Sequence, residues 1–423
     1  MTGDLSRAEL VLSGEKSLID YICEISALDC GEPGHPSDLG YWETVRDAHK
    51  NGKKLIFTNG PVPLEILYAL DCIPLCLDLL PSCISQDEAL TAKLINEAET
   101  HANSSLCSLH KTNTGILLSN NLGLKPDAYV TVPIACESAR AACNETGRYI
   151  EVKSFHFDIS LRRDEKSVRY IAMQFNLFIS FMEEISGRKL DWEQVKYRME
   201  LYNRSAKLLF ECTELRRSRP CPLSSYTTVW NEFMNAFGST EDMIKLLETE
   251  VALCKERIDS GKSPCPNGEK HRVLLLHNFL RQGDDITAML EKEFGAVTVA
   301  DGYCFASREL FTELDDKQAC INLMCRRMQS GSMAHGAGVT GAELLASIDD
   351  LLRDFEPDVF IFLGNRGCKH IWSATKMVAD AVQARYGIPM LILDVDNTDF
   401  RYKSEREINT AISEYMDTVV NKK

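Results

Sequence analysis

Three cysteines stand where this chain could do chemistry. Cys368 lies in "DVFIFLGNRGCKHIW" (358–372), where an apolar run ends at Gly364 and a polar turn carries the thiol before helical sequence resumes. Cys136 holds the matching place in "AYVTVPIACESARAACNETGRYIEVKSF" (128–155), which reads as strand, short turn, cysteine, helix, strand. Cys107, in "ETHANSSLCSLHKTNTGIL" (99–117), sits among small polar residues at or near a helix start, with His110 one turn on. Any one of them is consistent with an inert packing thiol, since cysteine often behaves as a small buried hydrophobe. As a set they are harder to explain that way, because two share a strand-end position that packing alone does not require. Three thiolates without a fourth protein ligand leave an open coordination position. That suits an iron–sulfur cluster that does chemistry, since four cysteines would close it. Zinc with three cysteines and an exchangeable ligand is the alternative from the same residues.

The rest of the composition narrows the setting. The 423 residues are 44% hydrophobic and 26% charged, ordinary globular material and too long for one small core. A net charge of −15 speaks against a nucleic-acid surface, which needs a basic face, and against an anionic membrane. The opening "MTGDLSRAEL" lacks a basic n-region followed by an apolar core, and the most apolar region, "IPLCLDLLPSCI", is interrupted by Pro74, Asp78 and Pro81, so a cytoplasmic protein without membrane contact is expected. There the sixteen cysteines stay reduced. Cys212 and Cys254, in helical patterns, read as packing residues. No CxxC pair occurs, so any metal site must gather its donors from distant parts of the chain.

The elements that must position them follow from periodicity. Short β-rich runs alternate with helical patterns from about 54 to 156, and again after about 270, which implies parallel βαβ units in each half. Between them, 164–260 is almost wholly helical, and "DSGKSPCPNGEK" (259–270) reads as a linker. The divisions expected are an N-terminal helical region (1–50), a first α/β domain (51–160), a helical segment (161–260) and a second α/β domain (261–423). The two β-rich halves share their layout, a topological repeat. In parallel sheets the loops beyond the carboxyl ends of the strands form the ligand crevice, so two facing halves would bring Cys136 and Cys368 to one cleft, with Cys107 beside them.

Four blocks in order carry a family resemblance: "GKKLIFTNGPVPLEILYALDCIPLCL", "YVTVPIACESAR", "HRVLLLHNFLRQGDDITAMLEKEFGAVTVADGYCFASREL", and "DVFIFLGNRGCKHIW" with "YGIPMLILDVDNTDFR". Over about residues 40–420 the chain resembles the 2-hydroxyacyl-CoA dehydratase / benzoyl-CoA reductase subunit family. The resemblance implies two flavodoxin-like parallel-sheet domains facing a cleft, with a helical insertion and a helical N-terminal region. It implies a [4Fe–4S] cluster held by Cys107, Cys136 and Cys368, with one iron open to water, another small ligand or the substrate. It further implies a related second subunit and an ATP-hydrolysing iron–sulfur activator that delivers single electrons. The reaction implied is loss of water from a 2-hydroxyacyl-CoA thioester. One electron added to the thioester carbonyl gives a ketyl radical anion that expels the 2-hydroxyl group and acidifies the β-proton. Alternatives within the family are a benzoyl-CoA-type reductase, a homodimeric double-cubane-cluster reductase, or a cluster-bearing partner subunit without its own acyl-CoA site.

Other candidates stand around these three. Asn59 and Gly60 follow the first strand, where a βα turn would face the cleft. Glu65 aligns with a family glutamate and could relay a proton or cap its helix. His110 could bond a cluster sulfide or act as a base, and Lys369 with His370 could set the local charge. Cys304, after a strand, is either a fourth ligand or a bystander. Asp394 and Asp396 alternate along a strand end, and Asp399 with Arg401 reads as a structural ion pair. The basic "SLRRDEKSVR" reads as a solvated helix face. "NGPVP" and "IACES" depart from the family's commoner turn and Cys-Asp pair, which bears on the substrate rather than the fold.

Overall fold

Runs such as "KLIF" and "VFIFL" carry apolar residues at successive positions, so strands made from them need cover on both faces. The computed structural model, which describes residues 6–27, 40–134, 136–160, 162–223, 238–277, 286–305, 308–331 and 339–420, supplies that cover twice. In β1 (Lys54–Asn59), Leu55 and Phe57 pack with Leu18 and Ile22 of the helix Leu18–Ser26, while Ile56 joins Phe175 and Phe178 of the helix Glu165–Ser186 on the other face. In β7 (Val359–Asn365), Phe360 and Phe362 meet Leu344 and Ile348 of the helix Gly341–Phe355, whereas Ile361 and Leu363 meet Ile408 and Ile412 of the helix Glu405–Tyr415. Each such side chain taken from water contributes about 1.5–3 kcal/mol. These strands are therefore central and rigid, and their ends are good places to mount a site.

The chain forms two four-stranded sheets, both wholly parallel among the described residues. The first has the order β2 (Cys72–Cys76), β1, β3 (Ala128–Thr131), β4 (Ser154–His156). The second repeats it as β6 (Ala296–Asp301), β5 (His271–His277), β7, β8 (Met390–Val395). This is the flavodoxin-like order, and in each sheet the crossover reverses beside the first strand. The topological repeat read from the sequence is thus present in strand order. Helices Arg7–Ser13, Leu18–Ser26 and Tyr41–Arg46 precede the first sheet.

Between the sheets run the helices Glu165–Ser186, Trp192–Leu215 and Glu241–Ser260. Their ends follow local rules. Asp164 and Thr240 accept backbone N–H groups as N-caps, and Gly187 and Gly261 close their helices in the left-handed conformation, as capping chemistry favours. One sequence expectation shifts. "YIEVKSF" suggests a strand from Tyr149, but the preceding helix, Glu137–Tyr149, keeps that tyrosine and the Ile150 N–H bonds to the Thr146 carbonyl. Its hydroxyl also donates to Glu145 one turn back. β4 begins only at Ser154, where pairing with β3 becomes available. Among the described residues no helix is long and apolar enough to cross a membrane.

The helical segment is locked to the second sheet by charge. Arg216, directly after the Trp192–Leu215 helix, pairs with Asp301 at the end of β6 at 2.8 Å, with neither side chain more than 1% exposed. It also donates to the Thr298 carbonyl at 3.2 Å. Removing one partner of such a pair strands a buried charge. Arg216→Met should therefore lower the unfolding free energy by about 3–5 kcal/mol in equilibrium urea denaturation, and Asp301→Leu added to it should recover part of that loss.

Candidate functional site

A helix start leaves backbone N–H groups without intrahelical partners, and these favour negative charge. Each of the three cysteines occupies such a start. Cys107 is the N-cap of the helix Ser108–Leu118, Cys136 of Glu137–Tyr149, and Cys368 of Lys369–Tyr386. At Cys136 the capping bond is explicit, with the Ala139 N–H donating to Sγ at 3.2 Å. The sequence expectation that Cys107 begins a helix holds. Cys136 and Cys368 follow the central strands β3 and β7 of their sheets, at the carboxyl ends.

The three loops are tied to one another along every side. The Cys107 N–H donates to Ser138 Oγ at 3.1 Å, two residues beyond Cys136. Asn365 Nδ2 donates to Cys107 Sγ at 3.3 Å from the last residue of β7. Gly367, next to Cys368, lies flat against the Cys107 backbone, and a Cβ there would stand 2.6 Å from the Cys107 Cα. Lys369 pairs with Glu137 at 2.5 Å across the helix starts. That last pair is largely exposed and contributes little energy, but it records how near the two helices come.

The thiols also sense each other. Burial pushes the Cys107 thiol up to about 12, with Asp396, Cys136 and Cys368 adding to the rise and the Leu109 N–H opposing it. Burial likewise raises Cys136, against the Ala139 N–H and helped by Cys368. It raises Cys368 too, against the N–H groups of Ile371 and His370. Without metal the three are neutral thiols. A metal centre here would gain from the N–H groups once the thiols ionise and would release their protons on binding.

The donor set fits an iron–sulfur cluster by its chemistry. Three sulfurs on separate helix starts, a missing Cβ that brings two loops together, and polar hydrogens aimed at sulfur are what an anionic cluster with one open iron asks for. Among the described residues no group of three His, Cys, Asp or Glu is close enough to hold a single metal ion as they stand.

The remaining candidates divide. His110 lies beside Cys107, its Nδ1 2.8 Å from Ser138 Oγ and its Nε2 3.9 Å from Asp78. Burial holds its imidazole below the usual range, with Asp78 opposing. Asn59 is buried behind that carboxylate, donating to Asp78 at 2.6 Å and accepting from the Tyr129 hydroxyl at 2.5 Å. Gly60 donates its N–H to the other Asp78 oxygen at 3.0 Å, and its φ of 71° beside the Val132 carbonyl admits only glycine. Glu65 lies elsewhere in the contact network. It pairs with Arg327 of the helix Lys317–Ser330 at 2.5 Å, and that guanidinium stacks on Tyr202 at 3.6 Å. Cys304 Sγ accepts from Arg216 at 3.7 Å.

After β8, Asp396 accepts the N–H groups of Thr398 and Asp399, and burial raises its carboxyl. Asp399 pairs with Arg401 at 2.7 Å, while Tyr402 donates to Asp394 at 2.6 Å. Three residues of this neighbourhood escaped sequence reasoning: Asp78, Ser138 and Asn365. Asn365 had a signal, since it is an amide closing a fully apolar strand, and the other two had none.

A family model described as 2-hydroxyglutaryl-CoA dehydratase, D-component, matches residues 61–419. The chain is 23% identical over 341 residues to the (R)-phenyllactyl-CoA dehydratase alpha subunit of Clostridium sporogenes, covering 75% of this chain and 78% of that one. It is also 23% identical over 276 residues to (R)-2-hydroxyglutaryl-CoA dehydratase, subunit alpha, of Acidaminococcus fermentans, covering 60% and 52% respectively. The resemblance read from four sequence blocks is borne out.

Two outcomes are expected from the geometry. In the metal-free chain at pH 8, Cys107 should react with iodoacetamide at least about 100-fold more slowly than in the unfolded chain, as read by mass spectrometry. Because its folded value lies above the usual 9.0, the stability it contributes is complete below about pH 9 and is lost as pH rises toward 12. Gly367→Ala should open the seam against Cys107, lowering stability by about 1–3 kcal/mol in thermal or urea unfolding.

Proposed function

The chain belongs to the 2-hydroxyglutaryl-CoA dehydratase D-component family, and on that footing we propose that it is the iron–sulfur subunit of an oxygen-sensitive 2-hydroxyacyl-CoA dehydratase. The observation that carries this reading is the meeting of three cysteines, each at a helix N-cap position, on the seam between two flavodoxin-like sheets. In it, Cys107, Cys136 and Cys368 would hold a [4Fe–4S] cluster, leaving one iron without a protein thiolate. When bound, that group supplies a Lewis acid for the thioester carbonyl and one electron at low potential. Electrons arrive from an ATP-dependent iron–sulfur activator, and a related second subunit completes the enzyme in the cytoplasm. The alpha-subunit names of the relatives support a partner chain.

The protein's own groups would do the following. The helix N-termini and the Asn365 amide stabilise charge on the sulfurs. His110, kept neutral by its burial and held between Ser138 and Asp78, takes the β-proton once the substrate radical has made it acidic. Asn59 and Gly60 hold the Asp78 carboxylate in place. Glu65, bound to Arg327, fixes the first sheet's helix to the Lys317–Ser330 helix and stays outside the chemistry.

Anaerobic purification with iron and sulfide analysis tests the reading, with about four irons per chain expected for one cubane. Cys368→Ser should lose or alter the EPR signal of the reduced protein. Turnover of 2-hydroxyacyl-CoA substrates with activator and ATP, with and without a partner subunit, is the decisive measurement. His110→Gln should lower kcat by about 100-fold or more with iron content unchanged. A chain without iron ends the proposal. Iron without turnover in every combination reduces it to an electron-carrying partner.

A further inference from the structure

The structure assigns to Asn365 the task of setting how readily this centre accepts an electron, an inference that rests on the cluster reading above. Asn365 is fully buried at the end of β7, and both ends of its amide are engaged. The Gly367 N–H donates to Oδ1 at 3.1 Å. A backbone N–H needs an acceptor, so this contact decides which way the amide faces. Nδ2 is therefore turned to the other half of the molecule, where it donates to Cys107 Sγ at 3.3 Å. The main-chain carbonyl of Asn365 accepts the Cys368 N–H at 2.8 Å and the Trp372 indole at 3.0 Å. One residue thus shapes the turn carrying one cysteine and touches the sulfur of another.

The consequence follows from where the charge goes. An electron added to a cluster raises the electron density on its ligand sulfurs, and an N–H donor to sulfur strengthens with that density. The reduced form gains more than the oxidised form, and the potential rises. Cys107 is the buried member of the three, whereas Cys136 and Cys368 are partly exposed residues, and the Asn365 side chain donates to the Cys107 sulfur. Asn365 is a positioning residue, acting on a ligand sulfur without contact to substrate.

The test uses the iron-loaded chain in an EPR-monitored titration with titanium(III) citrate. Asn365→Asp keeps the acceptor for Gly367 and loses the donor to Cys107. Asn365→Ala loses both without adding charge. Both variants should titrate at more negative potential at unchanged iron content. The reduced fraction at a fixed solution potential should fall about tenfold, a displacement of ~59 mV for a one-electron couple. An unchanged midpoint in the alanine variant overturns the assignment, and a shift confined to the aspartate variant does the same, since charge alone then explains it. If the variants fail to load iron, the wild-type chain decides. Pulsed EPR of the reduced protein labelled with nitrogen-15 at asparagine should show a coupled amide nitrogen, and its absence overturns the inference. A wild-type chain without iron removes the functional reading and this inference with it.

Discussion

The arrangement depends on one close approach, that of Gly367 to the Cys107 backbone across the seam between the two sheets. A single methyl group at position 367 would stand 2.6 Å from the Cys107 Cα, inside any tolerable contact. The absence of that group lets two loops, 260 residues apart in the chain, share one place. Asn365 then bridges them with a hydrogen bond to sulfur, and Ser138 draws the third loop in by accepting the Cys107 N–H. Each contact is modest, but together they hold three helix starts toward one another. Helix starts repel each other electrostatically when nothing negative lies between them. The seam is thus a place that an anion would stabilise.

That cost is met by packing at a distance. The strands that end at the site are buried on both faces, so their last residues are held by the sheets as well as by the loop contacts. A second ring of polar contacts closes the seam from behind. Thr112 meets Thr398 at 3.3 Å, Lys111 pairs with Glu99 at 2.7 Å, and Arg401 reaches Glu99 and Asn96. Of these groups Thr112 and Thr398 are buried, Lys111 is nearly so, and buried polar groups are valuable only when satisfied. Here Lys111 links the Ser108–Leu118 helix to its neighbour Glu88–Glu99, and the other contacts link these two helices to the loop after β8. The same burial that excludes water raises the three thiols, which makes the metal-free site neutral and unreactive.

Around the seam, charged pairs divide the labour between structure and chemistry. Arg216 with Asp301 is buried and ties the helical segment to the second sheet, while Glu65 with Arg327 ties the helix Leu64–Ala69 to the helix Lys317–Ser330. Asp78 differs, for it is partly exposed and faces His110 while Asn59 and Gly60 hold its oxygens. A carboxylate fixed by two donors beside an imidazole kept neutral is a combination able to move a proton near a buried centre. It forms at the carboxyl ends of β1 and β2, where parallel sheets of this order offer their ligand sites.

Much of this was legible in the residues alone. Continuous apolar runs separated by helical periodicity determined two parallel α/β halves, and the recurring strand–turn–cysteine–helix order marked Cys136 and Cys368 as equivalent. His110 one turn beyond a cysteine at a helix start was readable for the same reason, because helical spacing is a local property. β4 was misplaced by five residues since helix continuation and strand pairing compete over long range. The role of Glu65 was open because a carboxylate in a first helical turn looks the same whether or not a distant arginine faces it. Asn365, Ser138 and Asp78 gained their place at the site through contacts spanning 18 to 258 residues. Local chemistry in the sequence determined the elements and the donors. Only tertiary packing decided which donors share a space, because that depends on distances that close when two separate cores are assembled.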